Sequence, residues 1–460
     1  MTDRRRKAAT ARSVALDTLV KIAGRQAYSN LQLNKALQDA ELSRADAGLA
    51  TELVYGTIQR LNTLDHALGR FVAKGLGKLE PWVLQLLRMS AYQLIYLTRV
   101  PPHAAVNEAV ELAKQRGHRG ISGMVNGVLR SLLRSDDKLA LPEGLPADER
   151  IALAHSHPLW LVRRWLAAYG EQRTEAMCIA NNEPPHASIR VNPLRQSRQD
   201  ALTLLREDGC EAEPSPLSEQ GIVVSRGGNL ADTIGFRNGW WTVQDESSML
   251  VAEAADPSGG MQVLDCCAAP GGKTTHLAER MGDDGVVWAN DLHPHKRQLI
   301  EAQAERLGLQ SIRTTTGDAA ELAERLPAAS LDLILLDAPC SGLGVIRRKP
   351  EIKWHKSEDD IAAVTDIQAR LLAAVAPLLR PGGRLVYSTC TVEPSENGEK
   401  IERFLEAHPE FELDADWPPE LLARLREGGV VGDDFDGRLQ LLPQHFGTDG
   451  FYIARLRKRA

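Results

Sequence analysis

The chain has 460 residues, more than one ordinary domain, and its 43% hydrophobic and 25% charged residues exclude a disordered or fibrous protein. The net charge of −6 is divided by region, because residues 1–140 carry 21 Lys and Arg against 12 Asp and Glu. That region has a net charge of +9, and the remaining residues have a net charge of −15. We interpret the basic region either as a module that meets a polyanion such as nucleic acid or as a solubilising surface.

Other features indicate a cytoplasmic protein. Six cysteines are too few for a disulfide scaffold in a chain of this length. The longest apolar stretch, residues 81–97, includes Arg88 and is shorter than the ~20 residues of a membrane span. The basic start, residues 1–7, is not followed by an apolar signal core. We expect reduced thiols and no membrane partner.

Three domains are predicted along the chain. From residue 11 to about residue 134, apolar residues recur at spacings of three and four, which predicts an all-α domain over 1–140. Residues 135–149 are rich in Asp, Pro and Gly and have the composition of a linker. An amphipathic helix and short apolar runs predict a small α+β subdomain over 150–240.

The third domain, 241–460, alternates short apolar runs with helical segments. This alternation predicts a parallel, doubly wound α/β sheet whose ligands bind beyond the carboxyl ends of its strands. The expected strands are residues 262–266, 286–289, 331–336 and 384–387.

A small-residue loop follows the first of these strands. Paired glycines there allow a ligand to approach the backbone closely, but the loop is too short before them to be a P-loop. ATP hydrolysis is therefore disfavoured. The loop consists of Cys267, Ala268, Ala269, Pro270, Gly271, Gly272 and Lys273.

Acidic residues follow the next strands. Asp291 lies 18 residues after Lys273, close to the interval at which an acid meets ribose hydroxyls in nucleotide-binding folds. Asp318 follows the run 312–316, and Asp337 follows the expected strand 331–336. A nucleoside without a polyphosphate, such as S-adenosyl-L-methionine, fits this set, although a solvated loop aspartate would explain any one of them.

Two cysteines, Cys340 and Cys390, also follow strands and are expected to face one crevice. Methylation of cytosine at carbon 5 gives two thiols a purpose, because a thiolate must add to carbon 6 before carbon 5 can attack a methyl donor. Asp337 is the candidate to stabilise the protonated ring. Zinc binding is the alternative, yet no further ligands stand at suitable spacing nearby.

A basic run with an indole follows Cys340. Such a run is usually a solvated loop, but beside a candidate catalytic cysteine it favours RNA contact. The candidate RNA-binding residues are Arg347, Arg348, Lys349, Lys353 and Trp354.

These motifs together resemble the RsmB/Nop2/Sun family of RNA cytosine-5 methyltransferases. The resemblance lies in the 267–273 loop, the Asp-Ala-Pro-Cys-Ser-Gly box at 337–342, the Thr-Cys-Thr at 389–391 and the segment 190–195. Residues 102–110 and 125–130 are similar to the helical RNA-binding domain of the NusB family.

The resemblance implies a fold and roles for residues. It implies an N-terminal all-α NusB-like domain, a small α+β middle subdomain and a C-terminal α/β Rossmann-like S-adenosylmethionine-dependent methyltransferase domain. Cys390 would be the nucleophile and Cys340 would assist release of the product. The 267–273 loop, Asp291, Asp318 and Asp337 would hold the cofactor. The NusB-like domain implies 16S ribosomal RNA as the partner, and we expect a monomer.

Two other functions compete with this one. In a DNA cytosine methyltransferase the thiol after proline, here Cys340, would attack the base. In a non-catalytic RNA-binding factor, both cysteines could be replaced without effect on RNA methylation.

Overall fold

The structure is a computed structural model that describes residues 9–25 and 29–460. The basic start at 1–7 lies outside the described residues. The chain divides into two compact units, here called the helical unit (Met1–Glu183 and Ile346–His355) and the sheet unit (Pro184–Val345 and Lys356–Ala460). This division places 150–183 with the helices, and the three domain boundaries drawn from the sequence stay predictions.

The described secondary structure is entirely helical up to residue 186, and after that residue strands and helices both occur. The helices are α1 Ala11–Arg25, α2 Ser29–Ala40, α3 Arg44–Gln59, α4 Leu61–Gly69, α5 Pro81–Tyr96, α6 Pro102–Arg116, α7 Arg119–Arg134, α8 Ala147–Ala154, α9 Leu159–Ala180, α10 Arg198–Glu207, α11 Ile234–Arg237, α12 Glu246–Ala255, α13 Gly272–Arg280, α14 Pro294–Leu307, α15 Ile352–His355, α16 Glu358–Val375, α17 Gly398–Ala407 and α18 Pro419–Glu427. The strands are β1 Ala187–Val191, β2 Glu211–Pro214, β3 Gly221–Arg226, β4 Trp241–Val243, β5 Gln262–Asp265, β6 Val286–Asp291, β7 Ile312–Thr316, β8 Leu331–Asp337, β9 Leu379–Thr389, β10 Phe411–Leu413, β11 Arg438–Leu441 and β12 Phe451–Lys458.

The helical unit is a bundle built on one apolar core. Leu16, Leu53, Leu86 and Leu129 come from four different helices and are fully buried in it. Local signals set the helix starts: the Ser43 side chain accepts a hydrogen bond from the backbone N–H of Asp46, and α5 and α6 begin at prolines. The all-α prediction for this region is confirmed.

A small antiparallel sheet opens the sheet unit. Its strand order is β2-β3-β1-β4. Ile189, Ile222 and Trp241 are buried with Leu202 and Leu205 of α10 in one cluster. The α+β prediction for the middle region is confirmed.

The large sheet has the order β10-β12-β9-β8-β5-β6-β7. The strands from β7 to β9 are parallel, as the alternation of strands and helices predicts. Both faces are covered, since Leu333 and Leu335 join one apolar cluster while Ile334 and Leu336 join another. A strand buried on both faces reads as a continuous apolar run, which explains why the sequence revealed it.

Antiparallel strands extend this sheet at its C-terminal edge. β12 lies antiparallel between β9 and β10, and β11 also pairs with β12. The sequence pattern gave no indication of β12 because Arg455 interrupts it, although that side chain is only 1% exposed and pairs with Asp414 at 3.0 Å. The sheet is therefore mixed.

One long apolar helix also belongs to the core. The stretch Glu358–Leu378, which begins with α16, is long and apolar enough to cross a membrane by composition alone. Leu371, Leu372 and Val375 of this stretch pack in the core cluster of the sheet. Core helices of globular proteins share this composition.

Candidate active site

The candidate residues gather where the parallel strands end. The register pairs Asp265 with Leu335 and Asp337 with Ser388, and it pairs Asp291 with Thr316. Because these strands run in one direction, the loops that follow them emerge at one edge of the sheet.

Two thiols meet at this edge. Cys340 follows β8 and Cys390 follows β9, and their sulfur atoms are 3.4 Å apart. Both side chains are half-buried free thiols. Within residues 9–25 and 29–460, no group of three or more His, Cys, Asp or Glu side chains is arranged to hold a metal ion. The two sulfur atoms are close enough to contact one ligand.

The two thiols differ in acidity. A hydrogen bond from the Cys340 thiol lowers the pKa of Cys390, and the positive charge of Lys273 lowers it further, against burial and the charge of Asp337. The same hydrogen bond and burial raise the pKa of Cys340 well above its usual range. The directions of these shifts make Cys390 the more acidic thiol of the pair, and either sulfur atom can donate the hydrogen bond between them.

Lys273 and Asp337 form an ion pair beside the thiols. The Lys273 ammonium donates to Asp337 Oδ2 at 2.8 Å, and the Ser388 hydroxyl donates to Asp337 Oδ1 at 2.8 Å. Burial lowers the pKa of Lys273, but the charge and hydrogen bond of Asp337, together with Cys390 and Asp265, raise it, so its net shift is upward. The ammonium therefore stays charged at neutral pH and favours the Cys390 thiolate.

Alkylation of Cys390 by iodoacetamide should show this acidity directly. The thiolate is the reactive form, so the rate rises with pH through the pKa of Cys390 and levels off below the pH typical of an ordinary cysteine. The Lys273→Met variant should shift the profile to higher pH, because the cation that favours the thiolate is gone. Peptide mass spectrometry after timed alkylation measures the rate. Lys296→Met is the control at a half-exposed lysine, and equal profiles for the two variants would contradict the assignment.

Four carboxylates surround one further thiol. Burial raises the pKa of Cys267, and Asp265, Asp337, Asp291 and Asp318 each raise it further. All four strand-end acids are thus close enough to act on one sulfur atom. The cleft is accordingly suited to a ligand that carries positive charge and hydrogen-bond donors.

Asp291 contacts the small-residue loop directly. Its Oδ2 accepts from the backbone N–H of Ala269 at 3.3 Å, and its Oδ1 accepts from the N–H of His293 at 3.0 Å. Asp318 accepts from the N–H of Ala320 at 2.9 Å and pairs with Arg370 at 2.9 Å. These bonds orient both carboxylates.

Asp265 is a site residue that the sequence reasoning did not single out. It is buried at the end of β5, and burial raises its pKa to about 7. One of its oxygens accepts from the Thr274 hydroxyl at 2.6 Å, while its Oδ1 accepts no hydrogen bond from the described part of the chain. The sequence signal that could have identified Asp265 was its position at the end of an expected strand, directly before Cys266.

Arg190, in the segment 190–195, connects strand β1 of the small sheet with α13 through hydrogen bonds and an ion pair. Its guanidinium is fully buried, forms two 2.9 Å bonds with Glu279, and donates to Gly272 O at 2.8 Å and to Thr275 Oγ1 at 3.0 Å. It therefore holds the helix that follows the small-residue loop.

Replacement of Arg190 by methionine should destabilise the protein strongly. The change leaves the Glu279 carboxylate buried without its charged partner, which costs about 3–5 kcal/mol. Urea unfolding measures the free energy of unfolding. Arg226→Met removes an exposed pair with Glu211 and should cost less than about 1 kcal/mol. A similar loss in both variants would show that the buried pair has no special role.

Comparisons with known proteins agree with this geometry. Residues 252–457 match the family model for 16S rRNA methyltransferase RsmB/F, residues 9–134 match the NusB family, and residues 157–231 match a ferredoxin-like domain of RsmF/B-like methyltransferases. A Bacillus subtilis protein named probable ribosomal RNA small subunit methyltransferase B is 46% identical over 98% of this chain and 100% of its own length.

The chain belongs to the RsmB/F family of 16S rRNA methyltransferases. Ribosomal RNA small subunit methyltransferase B from Pseudomonas syringae is 38% identical over 98% of this chain and 97% of its own length. The recognition of the family from sequence motifs is confirmed.

Solved structures show the same fold. The crystal structure of PH0851 matches with a TM-score of 0.80 and 26% identity, over 98% of this chain and 100% of that one. A methyltransferase homologue from Pyrococcus horikoshii matches with a TM-score of 0.58 and 31% identity, over 68% of this chain and 99% of that one. The predicted fold class is confirmed.

The basic run after Cys340 is placed differently from what its composition indicates. Lys353 is fully buried in the helical unit, where its ammonium donates to Gln59 O at 2.9 Å and burial lowers its pKa well below the usual range. The Trp354 indole N–H donates to Ile58 O at 2.8 Å, and Arg347 Nε donates to Ala180 O at 2.9 Å.

The Lys353 side chain is thus enclosed within the helical unit and bonded to a carbonyl, and its contact with RNA stays a prediction. Trp354 and Arg347 are likewise engaged within the helical unit. Arg348 and Lys349 are half-buried, and their contact with RNA stays a prediction.

Proposed function

We propose that this family member transfers a methyl group from S-adenosyl-L-methionine to carbon 5 of one cytosine in 16S rRNA, in the cytoplasm. The pair of sulfur atoms 3.4 Å apart carries the proposal. Methylation of a nitrogen or a ribose oxygen requires no thiol, whereas carbon 5 requires a nucleophile at carbon 6.

The residues at the sheet edge fit the cofactor. Carboxylates at Asp291 and Asp318 can accept hydrogen bonds from ribose hydroxyls and an adenine amino group. The small residues of the 267–273 loop leave its backbone accessible, and the acidic surroundings of Cys267 suit a positive charge. The bound cofactor supplies the methyl group as a sulfonium.

The protein's side chains activate the base and release it. The Cys390 thiolate forms a bond to carbon 6, which makes carbon 5 nucleophilic. Carbon 5 would then bond to the methyl carbon as the methyl–sulfonium bond breaks, and the donor would leave as a neutral thioether. A base then removes the carbon 5 proton, and the carbon–sulfur bond breaks to restore the Cys390 thiolate. Cys340 donates a hydrogen bond to that leaving sulfur. Asp337 stabilises the protonated ring of the adduct.

The RNA substrate is supported by the rest of the chain. The RsmB/F family is named for 16S rRNA, and the N-terminal region both matches the NusB family and carries the basic excess. We propose that this region binds 16S rRNA through its phosphates and that the protein acts as a monomer. A target base in a loop or single strand can be rotated into the cleft, because duplex RNA hides that face.

Incubation with methyl-labelled S-adenosylmethionine and unmodified 16S rRNA tests the proposal. After digestion to nucleosides, the label should be found in 5-methylcytidine. Label in an N-methylated or ribose-methylated nucleoside would overturn the proposed chemistry. RNA containing 5-fluorocytidine should form a covalent complex with the protein, since fluorine replaces the proton that must leave. The absence of any label would favour a non-catalytic RNA-binding factor.

A further inference from the structure

A hydrogen-bonded bridge joins the two loops that carry the thiols. Ser341 directly follows Cys340, and Thr391 directly follows Cys390. Their hydroxyl oxygens are 2.8 Å apart, and both residues are fully or almost fully buried. The two loops are therefore linked by side chains as well as by the pairing of their strands.

Glu396 lies at the centre of this bridge. Its carboxyl group is fully buried and accepts from the Ser341 backbone N–H at 2.9 Å and from the Thr391 hydroxyl at 3.4 Å. It also accepts from Gln368 Nε2 at 3.0 Å, and that same nitrogen donates to the carbonyl of Pro339 at 3.0 Å. One acidic side chain thus connects the residues on both sides of Cys340 with the residue after Cys390.

A second connection holds the backbone beyond the bridge. The Gly344 N–H donates to Cys390 O at 3.0 Å, and a side chain at Gly344 would approach Gly450 O to 1.9 Å. This connection is independent of Glu396, so a change at Glu396 should leave the course of the loops intact while loosening the residues beside the thiols.

We propose that Glu396 is the positioning residue that sets the spacing of the Cys340 and Cys390 thiols. The inference rests on the proposed function, in which this spacing lets Cys340 stabilise the Cys390 sulfur as a leaving group. A hydrogen bond between sulfur atoms weakens quickly with distance, so small displacements of either loop matter.

The charges around the bridge support a dedicated role. Burial raises the pKa of Glu396, and the hydrogen bonds from Ser341 and Gln368 oppose that rise, with Glu393 adding to it. Keeping a carboxyl in this position is costly unless its bonds serve a purpose. The groups that act on Cys390 itself are Cys340, Asp337, Lys273 and Asp449, whereas the charge of Glu396 acts on Cys340 and raises its pKa.

The test compares the Glu396→Gln variant with the control variant Glu399→Gln. Glu399 is an exposed glutamate three residues farther along the chain. The amide offers one acceptor oxygen where the carboxylate offers two. In the full-length protein without RNA or cofactor, the pH profile for alkylation of Cys390 should move upward by about one unit in Glu396→Gln, because the Cys340 hydrogen bond is weakened. Alkylation at neutral pH should fall about tenfold. The Glu399→Gln profile should match the wild type.

A second pair of variants keeps the test decisive if Glu396→Gln folds poorly. Thr391→Val removes the hydroxyl from the bridge while keeping the shape of the side chain, and Thr391→Ser keeps the hydroxyl. The valine variant should shift the profile in the same direction, and the serine variant should not. Wild-type profiles for both Glu396→Gln and Thr391→Val would overturn the proposal. Because the assay uses neither RNA nor cofactor, its result is independent of which atom of the RNA is methylated.

Discussion

Replacement of Cys390 by serine is expected to lower the methylation rate by at least about 1,000-fold, as removal of a covalent nucleophile does in other enzymes. The hydroxyl occupies nearly the same volume but does not ionise near neutral pH. Lys273 and Cys340 favour a thiolate at this position, and neither can generate an alkoxide. The covalent complex with 5-fluorocytidine RNA should also be absent.

Transfer of label to 16S rRNA measures the rate, and binding of S-adenosylmethionine confirms that the variant is folded. Cys210→Ser is the matched control, because Cys210 is buried in the small sheet, apart from the candidate site. If Cys390→Ser retained activity while Cys340→Ser lost its adduct, the attacking thiol would be Cys340, as in DNA cytosine methyltransferases.

The Cys340→Ser variant is expected to accumulate a covalent protein–RNA adduct and to turn over about 100-fold more slowly. The raised pKa of Cys340 keeps its thiol protonated, and its sulfur lies 3.4 Å from the Cys390 sulfur. In the proposed mechanism, this thiol stabilises the Cys390 sulfur as it leaves carbon 6. The serine hydroxyl is a much weaker acid than the thiol, so release of the methylated product is expected to slow.

A denaturing gel separates the adduct from free protein. The slower band should require the cofactor, disappear after ribonuclease treatment and be absent from the Cys340→Ser, Cys390→Ser double variant. An adduct that formed equally well in the wild type would show that Cys340 has no part in release. Loss of activity without any adduct would instead place Cys340 before the bond to carbon 6.

The parallel strands and their loops were accessible from sequence because burial on both faces leaves uninterrupted apolar runs. Asp291 and Asp337 were singled out for the same reason, since each ends such a run, whereas Asp318 follows the largely polar edge strand β7. Arg455 shows the limit of this reasoning. It interrupts the apolar run of β12, and its buried pair with Asp414 shows how its charge is accommodated there.

Composition was a weaker guide to surfaces. The basic run after Cys340 has the residue types of an RNA-binding loop, yet Lys353 is fully buried and Trp354 packs against the core of the helical unit. Burial of a charged side chain depends on acceptors supplied elsewhere in the chain, here the carbonyl of Gln59. No local pattern reports such a partner.

The sequence by itself determined the family and the order of domains and indicated the candidate reactive side chains, because each follows from local patterns of residues. Only the tertiary structure decided which of those side chains meet. Pairing of β8 with β9 brings Cys340 and Cys390 together across 50 residues, and Lys273 reaches Asp337 across 64. The position of Glu396 between the two loops was likewise visible only in the tertiary structure. Hydrogen bonds between loops depend on which strands are neighbours and on their register, and local sequence does not encode either.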